Sequence, residues 1–213
     1  MLYHLIKKDF ILVKKYLPMM IGIPALIPLY VGTRPIGGAA LIGFTLSSVY
    51  TLFMTVQYIF LKESQSPKAL SLLCAAPYPR WLLVAAKYCL VPILHLACCL
   101  VFLAESLMVP GLAALPMQAY ASVLFADSLF FSIYMPLQYK LGFERVKLLL
   151  LLPIIAMSWL FPLLVKVSTQ IRWNPLAGIP AWASSIALTA VSFAVLAVSA
   201  LVSIRIFGRK DLA

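Results

Sequence analysis

Residues 36 to 61 read IGGAALIGFTLSSVYTLFMTVQYIFL and contain no aspartate, glutamate, lysine or arginine. The hydrocarbon core of a membrane is about 30 Å thick, and an α-helix needs about 20 predominantly apolar residues to cross it. This stretch is long enough and apolar enough to do so. It predicts a protein that lies in a membrane.

Five further stretches have the same character, at residues 17 to 33, 83 to 109, 113 to 138, 148 to 166 and 181 to 207. Of the 213 residues, 64% are hydrophobic and only 11% are charged, whereas an average soluble domain has about 25% charged residues. We therefore expect an all-α, polytopic membrane protein that forms one transmembrane domain over residues 1–213, with six transmembrane helices. The first of these should be irregular because it contains Pro18, Pro24 and Pro28.

The N-terminal stretch, residues 1 to 16, is amphipathic rather than uniformly apolar. Leu5, Phe10 and Val13 fall on one helical face, while Lys7 and Lys14 repeat seven residues apart on another. This pattern predicts an interfacial helix that lies on the membrane surface.

Basic residues predict the orientation of the chain. If the N-terminus is cytoplasmic, 14 of the 17 lysines and arginines lie on the cytoplasmic side, and only Arg34, Lys166 and Arg172 lie outside. This asymmetry follows the positive-inside rule, so both termini are expected in the cytoplasm. The net charge of +11 is then explained by topology rather than by nucleic-acid binding.

The sequence lacks the motifs of several kinds of catalytic and binding site. No G-x-x-x-x-G-K-[ST] loop is present to hold a nucleotide, and no H-E-x-x-H motif is present to hold zinc. The two histidines, His4 and His95, are far apart and have no carboxylate neighbours in sequence, and the four cysteines show no C-x-x-C spacing. We expect no catalytic residues, no metal site and no ATPase site in this chain.

The segment between the second and third spans, residues 64 to 76, contains the signals of a short helix. Ser66 can cap its N-terminus, Pro67 suits its first turn, and Pro77 prevents its continuation. Leu70 and Leu72 would face a cytoplasmic partner. An ordinary interfacial loop is the alternative interpretation.

Two acids fall inside predicted spans, where a charge is costly and usually faces protein or water. Glu105 lies near the outer end of span three and could pair with Lys166, and Asp127 lies near mid-membrane. Either acid could line a substrate pathway. Each could equally form an interhelical hydrogen bond or stay neutral through desolvation.

Small residues form stripes in two spans. Span two has them at every fourth position, at Ala39, Gly43, Ser47, Thr51 and Thr55. This spacing favours close helix packing, with a pathway wall as the alternative that would involve Ser47, Thr51 and Thr55. Span six has Ala183, Ala187, Ala190, Ala194 and Ala197 on roughly one face, which we assign to packing.

Three segments resemble one family of membrane proteins. They are Glu63 followed by AAPYPR at 75–80 and Lys87-Tyr88, then MPLQYKLGFER at 135–145, and the basic ending SIRIFGRKDL at 203–212. Together they are similar to the motifs of small bacterial ABC-exporter permeases with an ABC type-2 membrane domain. The most similar members are the permeases of exporters for amphipathic peptide toxins of the phenol-soluble-modulin type.

The resemblance implies a transport subunit in the bacterial cell membrane that pairs with a second permease copy or a paralogue. A separate ATPase subunit would bind ATP and Mg²⁺ and drive export of amphipathic or hydrophobic peptides. The ATPase would dock on the segment after span two, which comprises Glu63, Ser64, Gln65, Ser66, Pro67, Lys68, Ala69, Leu70, Ser71, Leu72 and Leu73.

Two other functions remain open from the sequence. A secondary transporter could use protons through Asp127, and a peptide-resistance protein could bind its target without moving it. A lipid-modifying enzyme would need a cluster of polar groups at one membrane depth, and the sequence does not indicate one.

Overall fold

A computed structural model describes residues 2–14, 16–32, 38–65, 79–109, 111–112, 114–146 and 180–208. The regular structure in these ranges is entirely helical and contains no strand. Its main helices are α1 (Leu2–Val13), α2 (Leu17–Gly32), α3 (Ala39–Gln65), α4 (Arg80–Met108), α5 (Met117–Leu141) and α6 (Ala181–Gly208).

Four of the described helices are long and apolar enough to cross a membrane: α3, α4, α5 and α6. The 16 residues of α2 give a length of about 24 Å, which is shorter than a full span. The predicted fifth span, residues 148 to 166, lies outside the described residues. The number of six spans therefore stays a prediction.

Helix α3 ends later than the sequence suggests. The predicted span stops at residue 61, but the helix continues to Gln65, so Ser64 and Gln65 belong to its last turn and not to the following loop. The Ser64 hydroxyl donates to the Leu61 carbonyl at 2.8 Å, and Lys62 Nζ donates to Gln65 Oε1 at 3.3 Å. The side chains therefore become polar here before the helical hydrogen bonds of the backbone end.

The prolines do not interrupt the helices that contain them. Helix α2 is continuous through Pro24 and Pro28, although we expected it to be irregular, and α5 continues through Pro136. Without water to bind freed backbone groups, a helix in hydrocarbon tends to persist around a proline. Helix α5 stops at Gly142, whose φ of 80° suits a glycine and whose N–H donates to the Gln138 carbonyl at 3.0 Å.

Helices α3, α5 and α6 run in one direction and α4 runs in the other, so the bundle has two distinct ends. Phe60 near the end of α3 contacts Tyr139 near the end of α5 at 5.5 Å between ring centroids. Tyr139 in turn contacts Phe207 near the end of α6 at 5.5 Å. Helix α1 and the start of α4, which both carry lysines, also lie at this end. We therefore call it the charged end. The opposite end contains Phe44 of α3 and Phe102 of α4, at 5.1 Å.

Helix α6 packs through serines rather than alanines. Ser185, Ser192 and Ser199 repeat every seven residues, and all three are buried, whereas Ala187 and Ala194 on the predicted packing face are exposed. Among the described residues, that alanine face is therefore not the packing face of α6. Serine is as small as alanine for close approach and also supplies a hydrogen bond in an apolar medium.

One of these serines joins three helices. The Ser199 hydroxyl donates to the Ser132 carbonyl of α5 at 2.7 Å. Tyr88 of α4 has its hydroxyl 2.8 Å from Ser199 Oγ and 2.7 Å from Ser203 Oγ. Because Ser199 has already used its only hydrogen, Tyr88 donates to Ser199 and accepts from Ser203.

Replacing Tyr88 with phenylalanine removes both hydrogen bonds but keeps the ring. We expect Tyr88→Phe to lower the Tm of the detergent-solubilised protein by about 2–6 °C, because each net hydrogen bond contributes about 1 kcal/mol. Tyr3→Phe is the matched control, since Tyr3 is exposed on α1 and should leave the Tm unchanged. Equal Tm values for both variants would contradict this role of the Tyr88 hydroxyl.

Candidate functional site

Charged side chains from three helices meet at the charged end of the bundle. Glu63 of α3 accepts hydrogen bonds from Lys87 of α4 and from Lys8 of α1, the latter at 3.4 Å between Nζ and Oε1. Lys8 Nζ also lies 3.1 Å from Asp9 Oδ1. We call Lys8, Asp9, Glu63 and Lys87 the lysine cluster. It holds α1 against α3 and α4.

Aromatic rings surround the more buried lysine. Lys87 is only 6% exposed, and its Nζ lies 3.9 Å from the centre of the Phe60 ring and 5.7 Å from that of Tyr139. A buried ammonium needs a carboxylate and is further stabilised over an aromatic face. Lys87 therefore links the start of α4 to the ends of α3 and α5.

Lys8 and Asp9 are the two residues of the lysine cluster that lie on α1, and burial has opposite effects on the pKa of their side chains. Burial raises the pKa of the Asp9 carboxyl, and the opposing effect of Lys8 and Lys87 does not cancel it. For Lys8, burial lowers the pKa, but the neighbouring carboxylates of Asp9 and Glu63 raise it by more, so the net shift is upward. Lys8 thus stays protonated, and Asp9 takes up a proton more readily than an exposed aspartate.

A second polar group lies midway along the helices, where Ser48 of α3, His95 of α4 and Asp127 of α5 meet. The Ser48 hydroxyl donates to Asp127 Oδ2 at 2.6 Å. His95 Nδ1 lies 3.0 Å from the same oxygen and 3.1 Å from Ser48 Oγ. His95 is 5% exposed, and Ser48 and Asp127 are fully buried. We call these three residues the mid-helix network.

The mid-helix network corrects two conclusions from the sequence. His95 does have a carboxylate neighbour, because α5 brings Asp127 to it across 32 positions of sequence. Polar groups also do cluster at one depth. The geometry nevertheless differs from a hydrolytic triad, in which the acid and the nucleophile bind opposite ring nitrogens of the histidine. Here both groups face Nδ1, so these three residues do not form that triad.

The other predicted pathway residues belong to neither of these two groups. Glu105 is near the end of α4, and its Oε2 atom is buried and has no hydrogen-bond partner among the described residues. Ser47, Thr51 and Thr55 are buried. The Thr51 and Thr55 hydroxyls donate to the carbonyls of Ser47 and Thr51 at 2.8 and 2.7 Å.

Part of the predicted docking segment can be placed. Glu63, Ser64 and Gln65 form the last turn of α3, and residues 66 to 73 lie outside the described residues, as does Lys166. Sequence reasoning missed Lys8 and Lys87 as partners of Glu63. It also missed Asp9 as a partner of Lys8 and His95 as the partner of Asp127. Lys87 and His95 are basic residues within one apolar span. A basic residue in such a span needs a partner, and this was the signal that the sequence offered.

No group of three or more histidine, cysteine, aspartate or glutamate side chains in the described ranges is arranged to hold a metal ion. Cys89, Cys98 and Cys99 are free thiols on α4.

A family model described as ABC-2 family transporter protein matches residues 4–208. The chain belongs to the ABC-2 transporter family. The match covers α1 to α6, so the lysine cluster and the mid-helix network both lie within the family domain. Searches of curated proteins and of solved structures found no match.

Membership in the ABC-2 family, together with the apolar helices, makes this a multi-pass membrane protein and the membrane component of a transporter. Proteins of the ABC-2 family generally work with an ATPase subunit. The lysine cluster and the mid-helix network are the candidate functional sites of this membrane component.

Two buried serines allow a matched test of the mid-helix network. Ser48→Ala removes contacts to Asp127 and His95, and we expect the Tm to fall by about 3–10 °C because the lost bonds involve a buried carboxylate. Ser128 is equally buried but its hydroxyl has no hydrogen-bond partner among the described residues. Ser128→Ala should therefore leave the Tm unchanged or raise it slightly. A larger fall for Ser128→Ala than for Ser48→Ala would contradict the network.

Proposed function

We propose that this chain is the permease subunit of an ATP-driven ABC exporter, and that a separate ATPase subunit binds ATP and Mg²⁺ and hydrolyses the nucleotide. The observation that supports this most is the family match over residues 4–208, combined with the lysine cluster at the end of α3. The chain leaves this cluster directly into the segment 66–73 that resembles an ATPase-docking element.

The charged end is proposed to be cytoplasmic. Every lysine and arginine in the described ranges lies in or just after α1, or in or just after the charged end of a longer helix, as Lys62, Lys87, Lys140 and Arg205 do. This distribution agrees with the positive-inside rule. Helices α5 and α6 also run in the same direction, as we expect if one further span lies between them in the sequence. That supports six spans with both termini in the cytoplasm.

The lysine cluster offers a route from the ATPase to the spans. Glu63 is three residues before Ser66, and it is paired with both Lys8 and Lys87. A displacement of the docking segment would move Glu63 and, through these two pairs, shift α1 and α4 together. Glu63, Ser64 and Gln65 would then transmit motion, while residues 66 to 73 would contact the ATPase.

The substrate is proposed to be an amphipathic or hydrophobic peptide of the toxin or antimicrobial type, moved out of a bacterial cell by a dimer of permease chains. The resemblance to peptide-toxin exporters is the support for this class. Glu105, with its unpartnered carboxyl oxygen, is the better candidate to attract a cationic peptide. Asp127 would reach a substrate only if α3, α4 and α5 separated.

A proton-driven secondary transporter is the second candidate function. The observation that favours it is the direct contact between His95 and Asp127 in the interior of the bundle, since buried His and Asp pairs are common parts of proton relays. In that case transport would need no ATPase subunit.

The docking role of the segment after α3 can be tested by co-purification with the ATPase subunit that we propose as its partner. We expect Leu70→Glu combined with Leu72→Glu to abolish association with the ATPase while the permease stays in the membrane, because two charges would disrupt an apolar contact. Leu107→Glu combined with Met108→Glu is the matched control at the opposite end of the bundle, where both residues are exposed. Association that survives the first change would rule out docking at this segment.

The energy source can be tested in vesicles loaded with an amphipathic peptide. ATP should drive peptide movement, vanadate should stop it, and Asp127→Asn should reduce its rate without releasing the ATPase. If an uncoupler stops movement and vanadate does not, the secondary transporter is correct instead. Peptide that binds to the vesicles but never crosses them would indicate a resistance protein without transport.

A further inference from the structure

Three buried polar side chains of α5 share one face of that helix. Asp127, Tyr134 and Gln138 are spaced so that they fall along one stripe of an α-helix, and we call them the α5 polar face. All three are between 0% and 4% exposed. The Asp127 Oδ1, Tyr134 hydroxyl and Gln138 Nε2 atoms have no hydrogen-bond partner among the described residues. Helix packing alone does not explain them, because an unpaired polar group is costly to bury.

The α5 polar face begins at a cavity on the charged end of the bundle. The cavity has a volume of about 200 Å³ and lies between α1, the start of α4 and the ends of α3, α5 and α6. Gln138 and the whole lysine cluster line it, and so does Ser64, which is exposed. A polar cavity of this size has room and partners for several water molecules. We therefore expect the cavity to be hydrated from the charged end.

The donors and acceptors of the α5 polar face suit a chain of water molecules. Gln138 Nε2 can only donate, the Tyr134 hydroxyl can donate and accept, and an Asp127 carboxylate oxygen accepts. A chain of water molecules that starts at Gln138 can therefore end on Asp127 with every group paired. The helix rises about 16 Å between these two residues. Phe131 lies between Tyr134 and Asp127 on the same face, so the water passes beside its ring.

On the other side of Asp127, aromatic rings separate the mid-helix network from the opposite end of the bundle. The centre of the Phe44 ring lies 5.9 Å from that of His95 and 5.1 Å from those of Phe102 and Tyr120. Phe44 and Phe102 are buried, and their side chains offer water no hydrogen bond. This arrangement favours water that comes from the charged end.

We propose that internal water enters the bundle at the charged end, follows the α5 polar face and reaches Asp127, while the opposite side of the mid-helix network stays dry. The ligand is water, and its site is the line of unpaired groups between the cavity and Asp127. The path connects a fully buried carboxyl to the solvent on one side of the membrane only. It is compatible with an ATP-driven exporter and with a proton-driven transporter, so the proposal does not rest on either function.

The test is radiolytic footprinting of the full-length protein in nanodiscs, in which hydroxyl radicals made from water oxidise nearby side chains and mass spectrometry measures the rates. Tyr134 and Tyr88 form a matched pair, because both are buried but the Tyr88 hydroxyl is bound to two serines. Phe131 and Phe102 form a second buried pair, on opposite sides of Asp127. We expect Tyr134 and Phe131 to be oxidised several-fold faster than their partners, although each is the more buried residue of its pair.

A variant at the cavity tests where the water enters. Gln138→Leu removes the polar group that joins the cavity to the face and keeps the size of the side chain. We expect it to slow the oxidation of Tyr134 to the rate of Tyr88. Gln57→Leu makes the same change on α3 and is the matched control, because Gln57 is not one of the described residues that line the cavity. It should leave the rate of Tyr134 unchanged.

Four results would overturn the proposal. Equal rates for Tyr134 and Tyr88 would show that water does not follow the α5 polar face. A slow rate at Phe131 together with a fast rate at Tyr134 would show that water stops before Asp127. A rate at Phe102 as fast as that at Phe131 would show that the opposite side is also wet. A rate of Tyr134 that Gln138→Leu does not change would exclude entry through the cavity. If that variant fails to fold, the two wild-type pairs decide alone.

Discussion

A polar group in hydrocarbon has no water to bind, so it must find its partner within the protein. The bundle is organised around this constraint. Glu63 satisfies the two lysines that join α1, α3 and α4, and Asp127 satisfies the groups that join α3, α4 and α5. The hydroxyl of Tyr88 links α4 to α6 in the same way. Because lipid tails are as apolar as the helix surfaces, such contacts select one arrangement among many that would bury similar area.

The positions of most helices could be predicted from the sequence because hydrophobic length alone decides which segments can cross a membrane. Four of the predicted spans coincide with long apolar helices in the structure. Their ends were less predictable. Helix α3 continues past Leu61 to Gln65, since a helix ends where its backbone loses partners and not where its side chains become polar.

The candidate sites could be predicted only in part. Hydropathy identified Asp127 as an unusual acid, and a motif identified Glu63 as the first residue of the predicted docking segment. Neither could reveal His95 or Lys8 as a partner, because helical spacing shows which residues share a face but not which helix that face meets. For the same reason the alanines of α6 were assigned to packing, although its serines form the buried face.

The parallel course of α5 and α6 has a consequence for biogenesis. Two neighbouring helices that point the same way cannot form a hairpin, so α6 reaches α5 only after a long intervening stretch of chain has been synthesised. The hydroxyl of Tyr88 enters the membrane with α4, long before the serines of α6 have been synthesised. Until then this hydroxyl must form its hydrogen bonds with water, with its own helix or with the insertion machinery. Helix α6 therefore completes the hydrogen bonds of α4, which is inserted much earlier. As a result, the folded bundle forms late.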